Sequence, residues 1–554
     1  GNSIGATITS DAAISYTGST YFAIGSVPSI VIADNGTQVS AANVYAGNTA
    51  VVLHKSQISP SGGNATLTGM TCTTTGTYAV SDITNLKVRY STDASLDAGD
   101  ATLSTITPAT AGTQTFTSFT SQQTNDGLTG YIFITADIAA GAVLGRTIAV
   151  SALTTSNFTF SNGGKSGSTT GGGTQTISCQ GLSGTYYVGS GQDYSTLYDA
   201  INALNTCGVS GPVTFLLTDE TYTHNNSSNQ LIINAVSGAS STNTITFKPN
   251  TGVTPEITIN TTTTYDYSFQ LNGADYIIFD GSNTTNGTTR DMKIIVASDD
   301  GDAFTLINSA SNNTIKNIII QGFANDNSYN AGVYVYGADN DNNTFQNNEI
   351  YNYYHGIYME GNSSNYNDGN KIISNKIGSS NSSYYLGYFG ILATYQNTID
   401  ISKNEIFGVW GSGSTKYGLY VSYSTNVTVS KNQVHDIVYT GTGGYGAIGM
   451  YFMLDASNPV VAIYNNFIYH IAADGWNTAE NPYGISLNGS FTSGVVVYFN
   501  SIYLTQDAAY GLNYSNSVFS AGVFVNSGVS GINFRNNIIR NSLGLRSGSS
   551  LTTY

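Results

Sequence analysis

Charge is what this chain of 554 residues has least of: Asp, Glu, Lys and Arg together make up 9%, against about 25% in ordinary soluble domains. The surface is therefore built from uncharged polar residues. The net charge of −16 leaves no basic stripe to neutralise a phosphate backbone, which argues against nucleic-acid binding and suits cations and neutral glycans better. Cysteine is nearly absent, and Cys72, Cys179 and Cys207 contain no CxxC pair, which excludes a zinc ribbon. No run of about 18 apolar residues marks a membrane-spanning helix. Nor is there a basic and then apolar leader after Gly1, so a signal was removed or the chain is an excerpt. The last coil-like segment runs through Leu545-Arg546-Ser547 to Tyr554 without a cap, and further domains are expected to follow.

What is present excludes disorder. Hydrophobic residues make up 40% of the chain, with 40 Tyr and 22 Phe, enough to fill cores that disordered segments cannot build. The length exceeds what one core supports, so at least two domains are expected. Residues 33–178 alternate apolar and polar in short runs, as in Asn85–Tyr90 and Tyr131–Thr135, between Gly, Asn and Asp turns. That pattern predicts a β-sandwich. Residues 1–32 read as an edge strand or the end of a preceding segment. The stretch Gly163 to Gly173 is rich in Gly, Ser and Thr and marks a loop or linker before a second domain over 179–554. There Leu197, Ala200, Ile201 and Leu204 share one helical face, so a helix near 194–205 is expected to cap a solenoid. Thr196 and Asp199 form its capping box. Cys179 and Cys207 flank this cap and either pair as a disulfide or, with Cys72, remain separate buried thiols.

From about residue 245 the chain repeats an apolar residue, two variable residues, Asn, one variable residue and another apolar residue. The asparagines are Asn348, Asn375, Asn404, Asn432, Asn466, Asn500 and Asn537, and subtracting neighbours gives spacings of 27, 29, 28, 34, 34 and 37. Between them recurs Gly followed by alternating apolar residues, at Gly332, Gly356, Gly390, Gly418 and Gly484. Such self-similarity without intervening helices predicts a parallel β-helix. The Asn is expected to take the left-handed corner conformation and to bond to its equivalents about 4.8 Å apart. About 330 residues at roughly 28 per coil would give on the order of 12 coils and a rod of about 55 Å.

The opening segment Gly191–Leu197 to Gly211–Phe215, followed by Gly273–Gly281, resembles the right-handed parallel β-helix repeats of Bacteroidetes-type cell-surface proteins, which share their fold with pectate lyases and polygalacturonases. The stretches Ala79–Leu86 and Asp137–Ala142 resemble a sandwich module attached to such domains. The resemblance implies an all-β, extracellular or outer-surface protein, with export by type IX secretion. No C-terminal sorting domain is evident.

Within that fold, carboxylates on neighbouring coils would serve a hydrolase. The candidates are Asp299, Asp300 and Asp302, with His355 as the histidine. The Arg-x-Lys element of polygalacturonases is missing, and no arginine lies between Arg290 and Arg535. The lysines are scattered, and Lys403 and Lys431, each just before a corner Asn, are expected to face solvent. Structural calcium would use Asp339 and Asp341 or Asp299 and Asp302, with a third acidic loop at Asp93, Asp97 and Asp100. The alternative is that these residues simply populate turns. Tyr354, Tyr358, Tyr385, Tyr388 and Tyr420 are candidate ligand-binding aromatics, or else cross-strand packing pairs. His54, His224, His435 and His470 show no metal spacing. The favoured reading is a noncatalytic structural or adhesive surface protein that self-associates or binds glycans and requires no cofactor. The alternative is a polysaccharide lyase or glycoside hydrolase.

Overall fold

A computed structural model describes residues 27–227, 229–261, 266–298, 301–323, 330–441, 443–454, 459–473, 481–505, 519–543 and 552–553. It divides into two units, Gly1–Cys179 and Gln180–Tyr554.

In the first unit, strands that alternate apolar and polar residues pair into two sheets. A six-stranded sheet centres on Val51–Ser61, Gly130–Ile138 and Ile83–Ser91, and a seven-stranded sheet centres on Ala65–Gly76. Their inward residues, including Leu53, Leu67, Val88 and Ile134, belong to one hydrophobic cluster. The strand Ser29–Asp34 pairs in the larger register with Val51–Ser61, so the sheet begins four residues before the expected boundary. Gly164–Gly167, within the expected linker, is a strand paired in parallel with Ser29–Asp34. The carboxylates of Asp93 and Asp100 serve turns: Asp93 accepts the Ser95 N–H at 2.8 Å and Asp100 the Asp97 backbone N–H at 2.6 Å.

The second unit contains α1, Leu197–Cys207, three residues later at its start than the sequence suggested. Thr196 Oγ1 accepts the Asp199 N–H at 3.1 Å and donates to the Asp199 carboxylate at 2.8 Å, which fixes the helix start. Leu197, Ala200, Ile201 and Leu204 are buried against the strands Leu182–Val188 and Leu231–Asn234. Gly208 ends the helix at φ +64°, a conformation for which glycine is suited. Cys72 is free and buried, whereas Cys179 and Cys207 are disulfide-bonded.

Among the described residues the second unit winds through three parallel sheets of 12, 11 and 11 strands, the first of which begins with Leu182–Val188 before α1. Core residues stack in register. On the first sheet Phe215, Phe247 and Phe279 have ring centroids 4.7 and 5.0 Å apart, and the row continues through Ile315, Phe345 and Ile372.

The repeated asparagines lie at the corner between the first and second sheets. Each Oδ1 accepts the backbone N–H of the asparagine one coil earlier, at 2.9–3.1 Å from Asn375 to Asn537. Each Nδ2 donates to a strand carbonyl of the earlier coil, as Asn404 does to Ile372 at 2.8 Å. The left-handed conformation falls one position earlier than expected. Asn347, Ser374, Lys403, Lys431, Asn465, Phe499 and Asn536 have φ of 53–60°. The corner residue turns the chain and the next side chain then points inward, so the buried amide satisfies backbone groups that water cannot reach.

A second ladder lies between the third and first sheets, where Asn313 N–H donates to Asn343 at 3.0 Å and Asn343 N–H to Asn370 at 2.8 Å. The glycines near the start of the third-sheet strands also form a row. A Cβ on Gly418 would lie 2.5 Å from Val434 Cγ1, one on Gly449 2.7 Å from Ile468 Cγ2, and one on Gly484 2.6 Å from Ile502 Cγ2. Only glycine lets the third sheet approach the second-sheet aliphatics this closely.

Candidate functional site

The outer face of the third sheet carries two aromatic rows. One register position runs Tyr334, Tyr358, Leu392, Tyr420, Tyr451, Ser486 and Phe524 through successive strands. Tyr334 and Tyr358 have centroids 5.0 Å apart, and Tyr420 and Tyr451 stack at 4.7 Å. These four tyrosines are half-buried. Burial raises the phenol pKa of Tyr334, Tyr420 and Tyr451, so their hydroxyls stay protonated in mild alkali. The parallel row runs Asp302, Ala331, His355, Phe389, Tyr417, Ile448 and Tyr483, three residues nearer the strand starts. Here Phe389 stacks on Tyr417 at 5.0 Å and His355 on Phe389 at 5.3 Å.

The tyrosines singled out from the sequence divide between this face and its edge. Tyr358 and Tyr420 belong to the outer row, and Tyr358 donates to Glu360 at 2.9 Å. Tyr354 and Tyr388 lie at the corner leading into the third sheet, 5.3 Å apart. Tyr385 stacks on Trp410 at 5.2 Å. Beside them a cavity of about 470 Å³ is lined by Tyr354, Trp410, Lys416 and the glycine–serine run 411–414.

Of the four candidate catalytic residues, Asp302 and His355 are described, and they occupy non-adjacent strands of the third sheet. Asp299 and Asp300 lie outside the described residues. Asp302 is buried in a strand and accepts the Ala331 N–H at 2.7 Å and the Thr305 hydroxyl at 3.1 Å. Burial, reinforced by Asp266, raises its pKa well above the carboxylate range. His355 stands two strands further on. Burial pulls its pKa down to about 3, and its Nδ1 has no hydrogen-bond partner among the described residues. Asp339 and Asp341 sit instead at the corner between the third and first sheets, where Asp341 accepts the Asp368 N–H at 2.7 Å and Asp339 accepts from Asn365. Among the described residues no group of three or more His, Cys, Asp or Glu is arranged to hold a metal ion.

Sequence reasoning missed two features. On the outer face of the second sheet His435 stacks between Phe407 and Tyr469 at 5.0 and 4.6 Å, and its Nδ1 meets Asp436 at 2.7 Å. His470 Nδ1 reaches the other Asp436 oxygen at 3.2 Å. His470 lies one coil and one residue after His435, a signal available only once the coil length is known. The second feature is Lys416, grouped with scattered lysines from its sequence context but buried, unlike the exposed Lys403 and Lys431. Burial lowers its amine pKa to about 8.

No helix among the described residues is long and apolar enough to cross a membrane. No curated protein sequence matches the chain. Among solved structures, the DFA-IIIase of Arthrobacter chlorophenolicus in complex with GF2 is 11% identical, with a TM-score of 0.35, over 62% of this chain and 92% of that one. The pectate lyase Pel9A is 13% identical, with a TM-score of 0.31, over 65% and 80%. The A-module of a mannuronan C-5 epimerase of Azotobacter vinelandii is 13% identical, with a TM-score of 0.27, over 62% and 93%. Residues 302–470 match the family described as "Right handed beta helix region", and the three-sheet solenoid that contains them is a right-handed parallel β-helix.

Proposed function

We propose that this chain is an extracellular, noncatalytic glycan-binding protein, in which a β-sandwich module precedes a β-helix that presents its third sheet to polysaccharide. The observation that carries the reading is the outer row Tyr334, Tyr358, Tyr420 and Tyr451. Half-buried aromatic rings repeated at strand spacing leave an apolar ridge of ring edges for sugar rings, while protonated phenol hydroxyls offer hydrogen bonds along it. The two sheets of the first unit, sharing one core, support the sandwich reading. Low charge favours contact with neutral polymers and with further copies of the chain, and a Bacteroidetes-type surface protein exported by type IX secretion remains the proposed setting.

The test is affinity electrophoresis of the full chain through gels containing neutral and acidic polysaccharides. Retardation is expected in at least one gel, with about a tenfold loss of affinity in Tyr420→Ala and Tyr451→Ala. Unretarded migration in every gel would overturn the reading.

The second reading, a glycoside hydrolase or polysaccharide lyase, is favoured by one observation: burial, with Asp266 adding to it, raises the Asp302 pKa, the direction in which a general acid is tuned. It requires shortening of the polysaccharide that Asp302→Asn abolishes.

A further inference from the structure

Lys416 opens the third-sheet strand Lys416–Ser422 and is only 3% exposed. Its ammonium carries three N–H donors, and one is used, by the Gly387 carbonyl at 2.6 Å. Among the described residues no carboxylate forms an ion pair with it, although other lysines of the solenoid, such as Lys316 and Lys376, pair with Asp280 and Glu349. A buried charge without a counter-ion is unfavourable unless something outside the fold supplies one.

The ammonium lies against the wall of the cavity at this corner. A Cβ on Gly411, a lining residue, would lie 3.3 Å from Nζ, and only Nζ and Cε come within 4 Å of that position. The strand holds the lysine in place through its N–H, which donates to Gly446 at 3.0 Å. The other walls are aromatic. Trp410 is braced by Tyr385, and Tyr354 by Tyr388. Ser412 and Ser414 supply hydroxyls. A volume of about 470 Å³ falls within the range of small-ligand sites.

We propose that this cavity binds the carboxylate of a ring-bearing ligand, with Lys416 as the anion contact and Trp410 and Tyr354 as the ring walls. The ring comes from an acidic sugar if the glycan-binding reading holds, on which that source rests, or from an aromatic acid if it does not. A bare oxyanion would leave the aromatic walls unused, and a neutral sugar would leave the ammonium unpaired.

The experiment is calorimetric titration of the full chain at pH 7 with D-glucuronate, D-glucose, benzoate, acetate and phosphate. The expected result is that glucuronate or benzoate binds at least about tenfold more tightly than glucose and acetate. Lys416→Met, which keeps the stem and removes the charge, should abolish that preference. Gly413→Leu is a second variant. A Cβ at Gly413 meets nothing within 4 Å, so this side chain should occupy the cavity and block the same ligands without touching the ammonium. Equal affinities for charged and neutral rings would overturn the proposal, as would a preference that survives both variants. Acetate or phosphate binding as tightly as the ring acids would also overturn it, by reducing the site to a bare anion contact. Tyr420→Ala separates the two readings. A carboxylate preference with no polysaccharide retardation would sink the glycan reading alone. Retardation sensitive to Tyr420, without the preference, would sink this proposal alone.

Discussion

Asn404 joins three coils. Its Oδ1 accepts the Asn375 N–H at 2.9 Å, its Nδ2 donates to Ile372 at 2.8 Å, and its own N–H donates to Asn432 at 2.9 Å. Asn404→Ala would leave the Asn375 N–H buried without a partner, and the expected loss is about 3 kcal/mol, read as a lower urea midpoint at unchanged slope. His355 acts in the opposite direction. Its folded pKa of about 3 lies below the unfolded value of 6.5, so between these the unfolded chain binds the proton and the folded one does not. Stability therefore falls as pH drops below 6.5. His355→Phe, which repeats the neighbouring Phe389, removes this linkage. Its stability relative to the parent should grow by about 2 kcal/mol between pH 7 and pH 5, measured by denaturation at both values. The ladder asparagines were legible in the sequence because corner and buried strand residues fall within six positions. The one-residue offset of the left-handed conformation was not, since Ser374, Lys403 and Phe499 adopt it as well as Asn347, and nothing in their chemistry announces it.

Among the elements, α1 is held by its cap and by the disulfide of Cys207. Thr196→Ala should cost about 1 kcal/mol, and Cys207→Ser about 3 kcal/mol, since the disulfide closes a loop of some tens of residues. Thermal melts of both variants, with and without dithiothreitol, check this: reductant should shift the parent and Thr196→Ala but leave Cys207→Ser unchanged. The helix was legible because its apolar period is unbroken over Leu197 to Leu204. The ladder of Asn313, Asn343 and Asn370 was not: each stands two residues before a stacked core residue, Ile315, Phe345 and Ile372, but loops of varying length precede it and hide the repeat. Lys416 escaped for a related reason. It is buried by the segment around Gly387 and by Gly411, the end of the second-sheet strand Glu405–Gly411, so its burial depends on two parts of the coil meeting in space.

At the scale of the whole solenoid, each coil contacts chiefly its neighbours, as the strand order of all three sheets shows. Stability in such an array is a sum of coil and interface terms. Amides in the coils holding Ile372, Ile401 and Val429, enclosed on both sides, should therefore exchange hydrogen most slowly. Those of Asn533–Arg535 and Ile538–Ser542, whose side chains are largely exposed, should exchange fastest. Mass-spectrometric exchange on the native chain tests this gradient, and uniform protection would contradict it.

The glycine row bears on how such a chain changes over generations. Gly390 and Gly418 occupy equivalent positions 28 residues apart, and each meets the next coil's glycine carbonyl and a second-sheet aliphatic. Recombination between the two codons would excise or duplicate one whole turn and join it through contacts the parent already makes. The protein is thus spelled in units that heredity can count, and its length can drift by single coils while every junction stays familiar.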